Sequence, residues 1–275
     1  MSDLSIGNEK ASGESPTARP AQFENLLPPL ALSAATLVVW EVVIRIFHVP
    51  TFVLPAPSAI IVSLMDNRIA LLVAAEATAL EILLGFLLAA VVGIAVALLI
   101  VRFERFGRAL YPLIVLFQNV PKVALAPIVI LWFGYGLAPK IVLIVVIAFF
   151  PVAIDMLAGL QSVEPSFISL MRSVGASNGK ILRRVRIPHS LPHLMAGLKV
   201  AVTFSVIGAI VGEFSGANEG LGYVIEFAST QLDTPLIFAA LLVVSVLGLF
   251  FYYIVEYAEI LLVPWAAKFD PVHRA

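Results

Sequence analysis

Between Glu164 and His193 the chain gathers its charged and conformationally special residues. Glu164-Pro165 opens the stretch, Gly175 divides it, Lys180, Arg183, Arg184 and Arg186 follow, and Pro188, His189, Pro192 and His193 close it. Gly179-Lys180 is the nearest approach to a phosphate-binding loop. Ile181 follows where serine or threonine should hold magnesium, and residue 174 is valine where glycine is needed, so no nucleotide cradle is expected. His189 and His193 have the spacing of two metal ligands on one helical face, but Pro192 intervenes and the glutamate of a zinc protease motif is missing. The reading is packing at the neck of the segment, with no metal. Zero cysteines exclude a disulfide framework and a thiolate site. Gly216, Gly220 and Gly222 follow no strand and are expected to let an outer turn pack tightly.

Other polar residues interrupt long apolar runs. A charge at the bilayer centre costs about 2.5–3.5 kcal/mol on insertion scales, so such groups face a cavity or a partner. Gln118, Asn119 and Lys122 lie in a run broken by Pro112, Pro121 and Pro127. They fit a pathway lining, with Lys122 attractive to an anionic solute. They equally fit a structural role, in which Lys122 pairs with a carboxylate such as Asp155 or snorkels. Glu213 is expected to begin an outer loop, where it would meet a partner or cap the pathway, or serve structure alone. Thr203 and Ser205 are expected to bond backbone, Asp155 to be interfacial and Lys199 to snorkel.

The elements that must hold these groups are apolar helices. Of 275 residues, 61% are hydrophobic and 13% charged, and mean hydropathy is +1.03. Soluble domains carry about a quarter charged residues, so the composition demands a bilayer. A net charge of −1 excludes a generally basic nucleic-acid surface. A span needs roughly 20 residues, and apolar length predicts six, at about 26–47, 71–101, 109–133, 140–160, 191–212 and 236–263. The third should be kinked or broken by its prolines. Residues 1–25 lack a signal-peptide core and read as a disordered cytosolic tail; residues 266–275 form a second tail. Between the first two spans, Ser58 is a candidate cap for a short interfacial helix.

Lysine and arginine set the orientation. With the N-terminus inside, the inner segments carry 12 of the 17 basic residues, whereas the last outer loop, 213–235, has four acidic residues and no basic one. An even number of spans with both ends cytosolic follows. Residues 164–188 then project into the cytosol as a hairpin. Pro165 starts one helix, Gly175 ends it in the C′ position, Ser177 or Asn178 caps the next, and Pro188 stops it. Pro192 starts the fifth span. A basic interfacial hairpin on lipid headgroups is the plain alternative; the glycine with proline stops favours a rigid element laid into a partner's groove.

This segment resembles the cytosolic loop of permease subunits of binding-protein-dependent ABC importers. Their pattern runs Glu-Ala-Ala, three residues, Gly, nine residues, Ile, one residue, Leu-Pro. Gly175, Val185, Ile187 and Pro188 fall at matching places, while Ser169, Leu170 and Met171 replace Glu-Ala-Ala. The likeness extends through Leu54-Pro55-Ala56-Pro57-Ser58, Val120-Pro121-Lys122, Leu131-Trp132-Phe133-Gly134, Glu213-Phe214-Ser215-Gly216 and Gly220-Leu221-Gly222-Tyr223. These are similar to the nitrate/sulfonate/taurine-type branch, which includes thiamine-precursor uptake systems.

The resemblance implies an all-α polytopic fold of the type I ABC importer permease kind, with six transmembrane helices and a cytosolic coupling hairpin at 164–188. It implies an inner-membrane pathway built by two permease copies as a homodimer, a cytosolic ABC ATPase dimer that binds the ATP, and an extracytoplasmic substrate-binding protein. The ATPase-coupling residues would be Pro165, Leu170, Met171, Arg172, Gly175, Ala176, Ser177, Val185, Ile187 and Pro188. The chain itself would hold no cofactor and catalyse no reaction. Two other functions compete. An ion-coupled secondary transporter should show an inverted repeat, which is not evident, and a membrane enzyme should show convergent catalytic groups, which the sequence lacks.

Overall fold

The computed structural model describes residues 27–265, apart from the side chains of Leu27, Glu104, Phe106, Arg108 and Tyr111. The expected tails at 1–25 and 266–275 lie outside the described residues. Two units are distinguished, 1–48 and 49–275. In the first, Leu27–Ile46 (α1) is apolar and long enough to cross a membrane.

The second unit opens with a short helix, Pro57–Asp66 (α2). Ala56, not Ser58, is its N-cap, and Pro57 occupies the first turn, where a missing N–H costs nothing. Arg68–Arg102 (α3) follows; its 35 residues extend about 52 Å at helical rise, well beyond a ~30 Å hydrocarbon core. Glu104–Gln118 (α4), a 3₁₀ turn at Lys122–Leu125 and Ala126–Phe133 (α5) make one segment bent by 87°. Leu137–Gln161 (α6) crosses next. Pro165–Ser173 (α7) and Asn178–Ile181 (α8) form the hairpin. A π-helical stretch, Leu182–Arg186, leads into Ile187–Phe214 (α9). Leu221–Thr230 (α10) and Thr234–Leu262 (α11) complete the chain. By length and composition five of these helices can cross a membrane, or six spans exist if the bent pair is one.

Small residues set the core. In lipid there is little hydrophobic drive between helices, so close backbone approach supplies the packing. The buried stripe of α3 includes Gly85, Ala89, Gly93 and Ala97, each four residues from the last. That of α9 includes Gly197, Ala201, Ser205 and Ala209 at the same spacing. α6 lies between them, its main packing partners being α3 and α9. Ile144 of α6 is fully buried, between Gly85 and Gly208; a Cβ on Gly208 would stand 2.9 Å from its Cα. By contrast, α11 buries only Ala239, Ala240, Phe251 and Val255, leaving most of its apolar surface to lipid or to another chain.

The expected break after the hairpin does not occur. Pro188 does not stop the second hairpin helix, and Pro192 does not start a span: the helix runs from Asn178 to Phe214. The π-helical turn explains it. Ile187 N–H reaches back to the carbonyl of Leu182, a wider turn placed directly ahead of Pro188, whose ring would otherwise crowd the carbonyl four residues back.

Candidate functional site

Chemistry-bearing residues collect at three places in the second unit. The first is the hairpin. Glu164 is the N-cap of α7 and Pro165 its first residue. The α7 end closes in a Schellman turn: Gly175 N–H donates to Arg172 O and Ala176 N–H to Met171 O, both at 3.0 Å. Gly175 has φ +78°, a left-handed conformation that costs residues with a Cβ. Ser177 Oγ accepts from Lys180 N and caps α8. Ile168 and Ile181 are buried, Met171, Ala176, Val185 and Ile187 are half-buried, and Leu170, Arg172, Gly175, Ser177 and Pro188 are exposed. The hairpin thus turns isoleucines inward and offers its turn outward. At its neck His189 Nε2 lies 3.1 Å from Ser162 Oγ; no metal-binding group of His, Asp and Glu occurs among the described residues.

The second place is the bend between α4 and α5, where the structure brings Gln118, Asn119 and Lys122 together. Asn119 Nδ2 donates to Val115 O at 3.0 Å, satisfying a carbonyl that the helix end frees. Gln118 and Asn119 are exposed. Lys122 has no carboxylate partner among the described residues; its Nζ stands 4.5 Å from the centre of the Phe150 ring, a cation–π contact. The alternative of a pairing with a carboxylate such as Asp155 is not realised: the bend turns Lys122 onto an aromatic face of α6. Lys199, expected to snorkel, pairs with Glu259 Oε2 at 2.5 Å. Thr203 and Ser205 each donate to the carbonyl four residues back.

The third place is a buried polar cluster at the end of the bundle away from the hairpin. Glu213 is the last residue but one of α9, directly ahead of the outer turn, and is fully buried; its hydrogen bonds go to Thr78 and Gly222, not to Gln118, Asn119 or Lys122. Its Oε1 accepts from Thr78 Oγ1 of α3 at 2.7 Å, and its Oε2 accepts from the amide of Gly222 at 2.5 Å. Thr78 Oγ1 in turn accepts from the amide of Leu221. Gly220, φ +105°, leaves room for the carboxylate, since any Cβ there would collide with it. Beside it Lys140 Nζ of α6 bonds Glu81 Oε1 of α3, with Lys140 5% and Glu81 2% exposed. The other oxygen, Glu81 Oε2, has no hydrogen-bond partner among the described residues. Thr78, Glu81, Lys140 and Glu213 therefore tie α3, α6, α9 and the N-terminus of α10 into one body. The cost of buried charge is the signal in the sequence that Glu81 and Lys140 each need a partner.

Residues 82–260 match the family described as binding-protein-dependent transport system inner membrane component. The chain belongs to that family. It is 37% identical to the formylaminopyrimidine transport permease protein ThiX of Halalkalibacterium halodurans, over 88% of this chain and 97% of the relative. It is 30% identical to the taurine transport system permease protein TauC of Escherichia coli, over 78% and 81%. In fold this permease is similar to an inward-facing MetNI methionine ABC transporter chain, with TM-score 0.63 at 19% identity, covering 72% of the permease and 98% of that chain. The permease is a multi-pass membrane subunit of an ATP-driven importer of a small solute, and its ATPase and substrate-binding protein are separate partners.

Proposed function

We propose that residues 164–188 are the permease's mechanical coupling to its ATPase, that two copies build the pathway, and that both chain ends lie in the cytosol. The observation that carries this is the exposed Schellman turn at Gly175, backed by buried Ile168 and Ile181. A handle must be stiff within itself and open to a partner, and this hairpin is both. Lysines and arginines gather on it, and none occurs in 213–235. ATP-driven closure of the ATPases would draw two such hairpins together and rock rigid helix bundles about a mid-membrane site. The chain carries no cysteine, so Ser177→Cys gives one defined label site. An impermeant maleimide should label it from the cytosolic face alone, and a crosslinker should join it to the ATPase. Labelling from the outside would end the coupling role.

The substrate class we assign is a small nitrogen heterocycle. The similarity to a formylaminopyrimidine permease spans nearly the whole relative, and Gln118 and Asn119 offer exposed neutral amides at the bend. Uptake by the reconstituted importer should be competed by an aminopyrimidine and not by taurine; the reverse order would replace this class with the sulfonates.

A further inference from the structure

A groove of about 870 Å³ opens where α3 ends and the hairpin begins, a size suited to a small amphiphile. Its floor is apolar: Ile168 and Ile181 are buried there, while Leu99 and Phe103 stand as half-open walls. Around that floor lie four guanidinium groups, those of Arg102, Arg105, Arg172 and Arg186. None of the four makes a salt bridge with a described residue, Arg102 lying instead 5.4 Å from the Phe103 ring centre. No described lining residue is acidic. Four like charges around one apolar floor repel each other, and an anion with an apolar stem would relieve that.

Depth decides which anion. Leu99 belongs to the long apolar run of α3, and Arg102 ends it less than one turn later, so the groove straddles the boundary between hydrocarbon and water. A phosphate with methylenes attached fits both levels at once; a soluble anion would leave the open Leu99 and Phe103 walls wet. We infer that this groove binds the headgroup and first methylenes of an anionic phospholipid of the cytosolic leaflet. Basic pockets between helices on that face are a known physical solution for such headgroups. The inference rests on the orientation proposed above. It places the lipid behind the hairpin, wedged between α7, α8 and the end of α3, so that the handle is stiffened from its membrane side while its turn remains free.

The test uses the permease–ATPase complex, extracted in mild detergent and examined by native mass spectrometry. Phosphatidylglycerol or cardiolipin should remain bound to each permease copy through washes that strip phosphatidylcholine. Arg102→Gln, Arg105→Gln and Arg186→Gln together should weaken retention about a hundredfold, roughly tenfold or less per charge at a membrane surface. If that triple variant does not elute as one species, Leu99→Trp is read in its place: it fills the groove with every charge intact and should also expel the lipid. Equal retention in the variants overturns the site. So does displacement by inorganic phosphate as effective as by phosphatidylglycerol, or lipid that binds only after residues 1–25 are deleted, which would make the chain's own N-terminal segment the occupant. ATPase co-elution is read in the same runs. Its loss from the unaltered complex would strike the coupling role, and lipid loss with co-elution intact strikes this site alone.

Discussion

Lys140 and Glu81, 59 positions apart in the chain, meet in a 2.5 Å contact that both helices bury. Neither can be removed alone without stranding the other. Lys140→Met should destabilise the folded permease by about 3–5 kcal/mol, whereas pairing it with Glu81→Leu should recover much of the loss. Thermal unfolding of the detergent-solubilised protein measures both. A Lys140→Met protein as stable as the parent would mean the pair contributes nothing.

Thr78 and Glu213 offer a gentler probe of the same region. Thr78→Val keeps the shape and removes the hydroxyl that bridges Glu213 Oε1 and the Leu221 amide. A double-mutant cycle with Glu213→Leu, which removes the acceptor, should give a coupling of about 0.6 kcal/mol, with ~1.7 as a ceiling for bonds of this kind in a membrane. The turn at 215–220 should become more open to protease in either variant. Additive effects would show that the two side chains act separately.

Gly175 separates conformation from contact. Nothing lies within 4 Å of a Cβ built on it, so the cost of replacement comes from φ +78° alone. Gly175→Val should cost about 1–2 kcal/mol in the left-handed turn and weaken ATPase association, while Gly175→Asn, which tolerates that region, should retain it. Co-purification with the ATPase is the readout. Equal behaviour of the two variants would mean that the turn's shape is not what the partner reads.

Gly208 makes the opposite case. A Cβ there would press on the backbone of Ile144, 2.9 Å from Cα and 3.4 Å from N. Gly208→Val should therefore lower yield and thermal stability, and shortening Ile144 to alanine should fail to rescue it. Rescue by Ile144→Ala would show that α6 and α9 can separate more easily than their packing implies.

How much of this was legible in the sequence depends on the range over which each feature is determined. The apolar runs announce their spans because the bilayer imposes one length on all of them. Gly175 announces its turn because its neighbours alone decide φ. The break in the third span was legible from its prolines, although the backbone turns at Asn119–Pro121 while Pro112 stays within a helix. Pro188 misled, since whether a proline ends a helix depends on the width of the turn before it, and a π turn leaves no mark on composition. The stripes of Gly85, Ala89, Gly93 and Ala97, and of Gly197, Ala201, Ser205 and Ala209, were open to view as four-residue spacings and went unread. The cluster of Thr78, Glu81, Lys140 and Glu213 was not legible: each charge signals a missing partner, but only the pairing of α3, α6 and α9 says which one.

The 87° bend between α4 and α5 bears on how the chain is made as well as how it works. Each arm, Pro112–Gln118 and Lys122–Phe133, falls short of the ~20 residues that let a helix cross unaided. The segment therefore cannot be threaded into the bilayer as a finished rod during synthesis. It has to wait for α6, whose Phe150 receives Lys122, so biogenesis should pass through a stage in which the later helix is already seated and the earlier one is still outside.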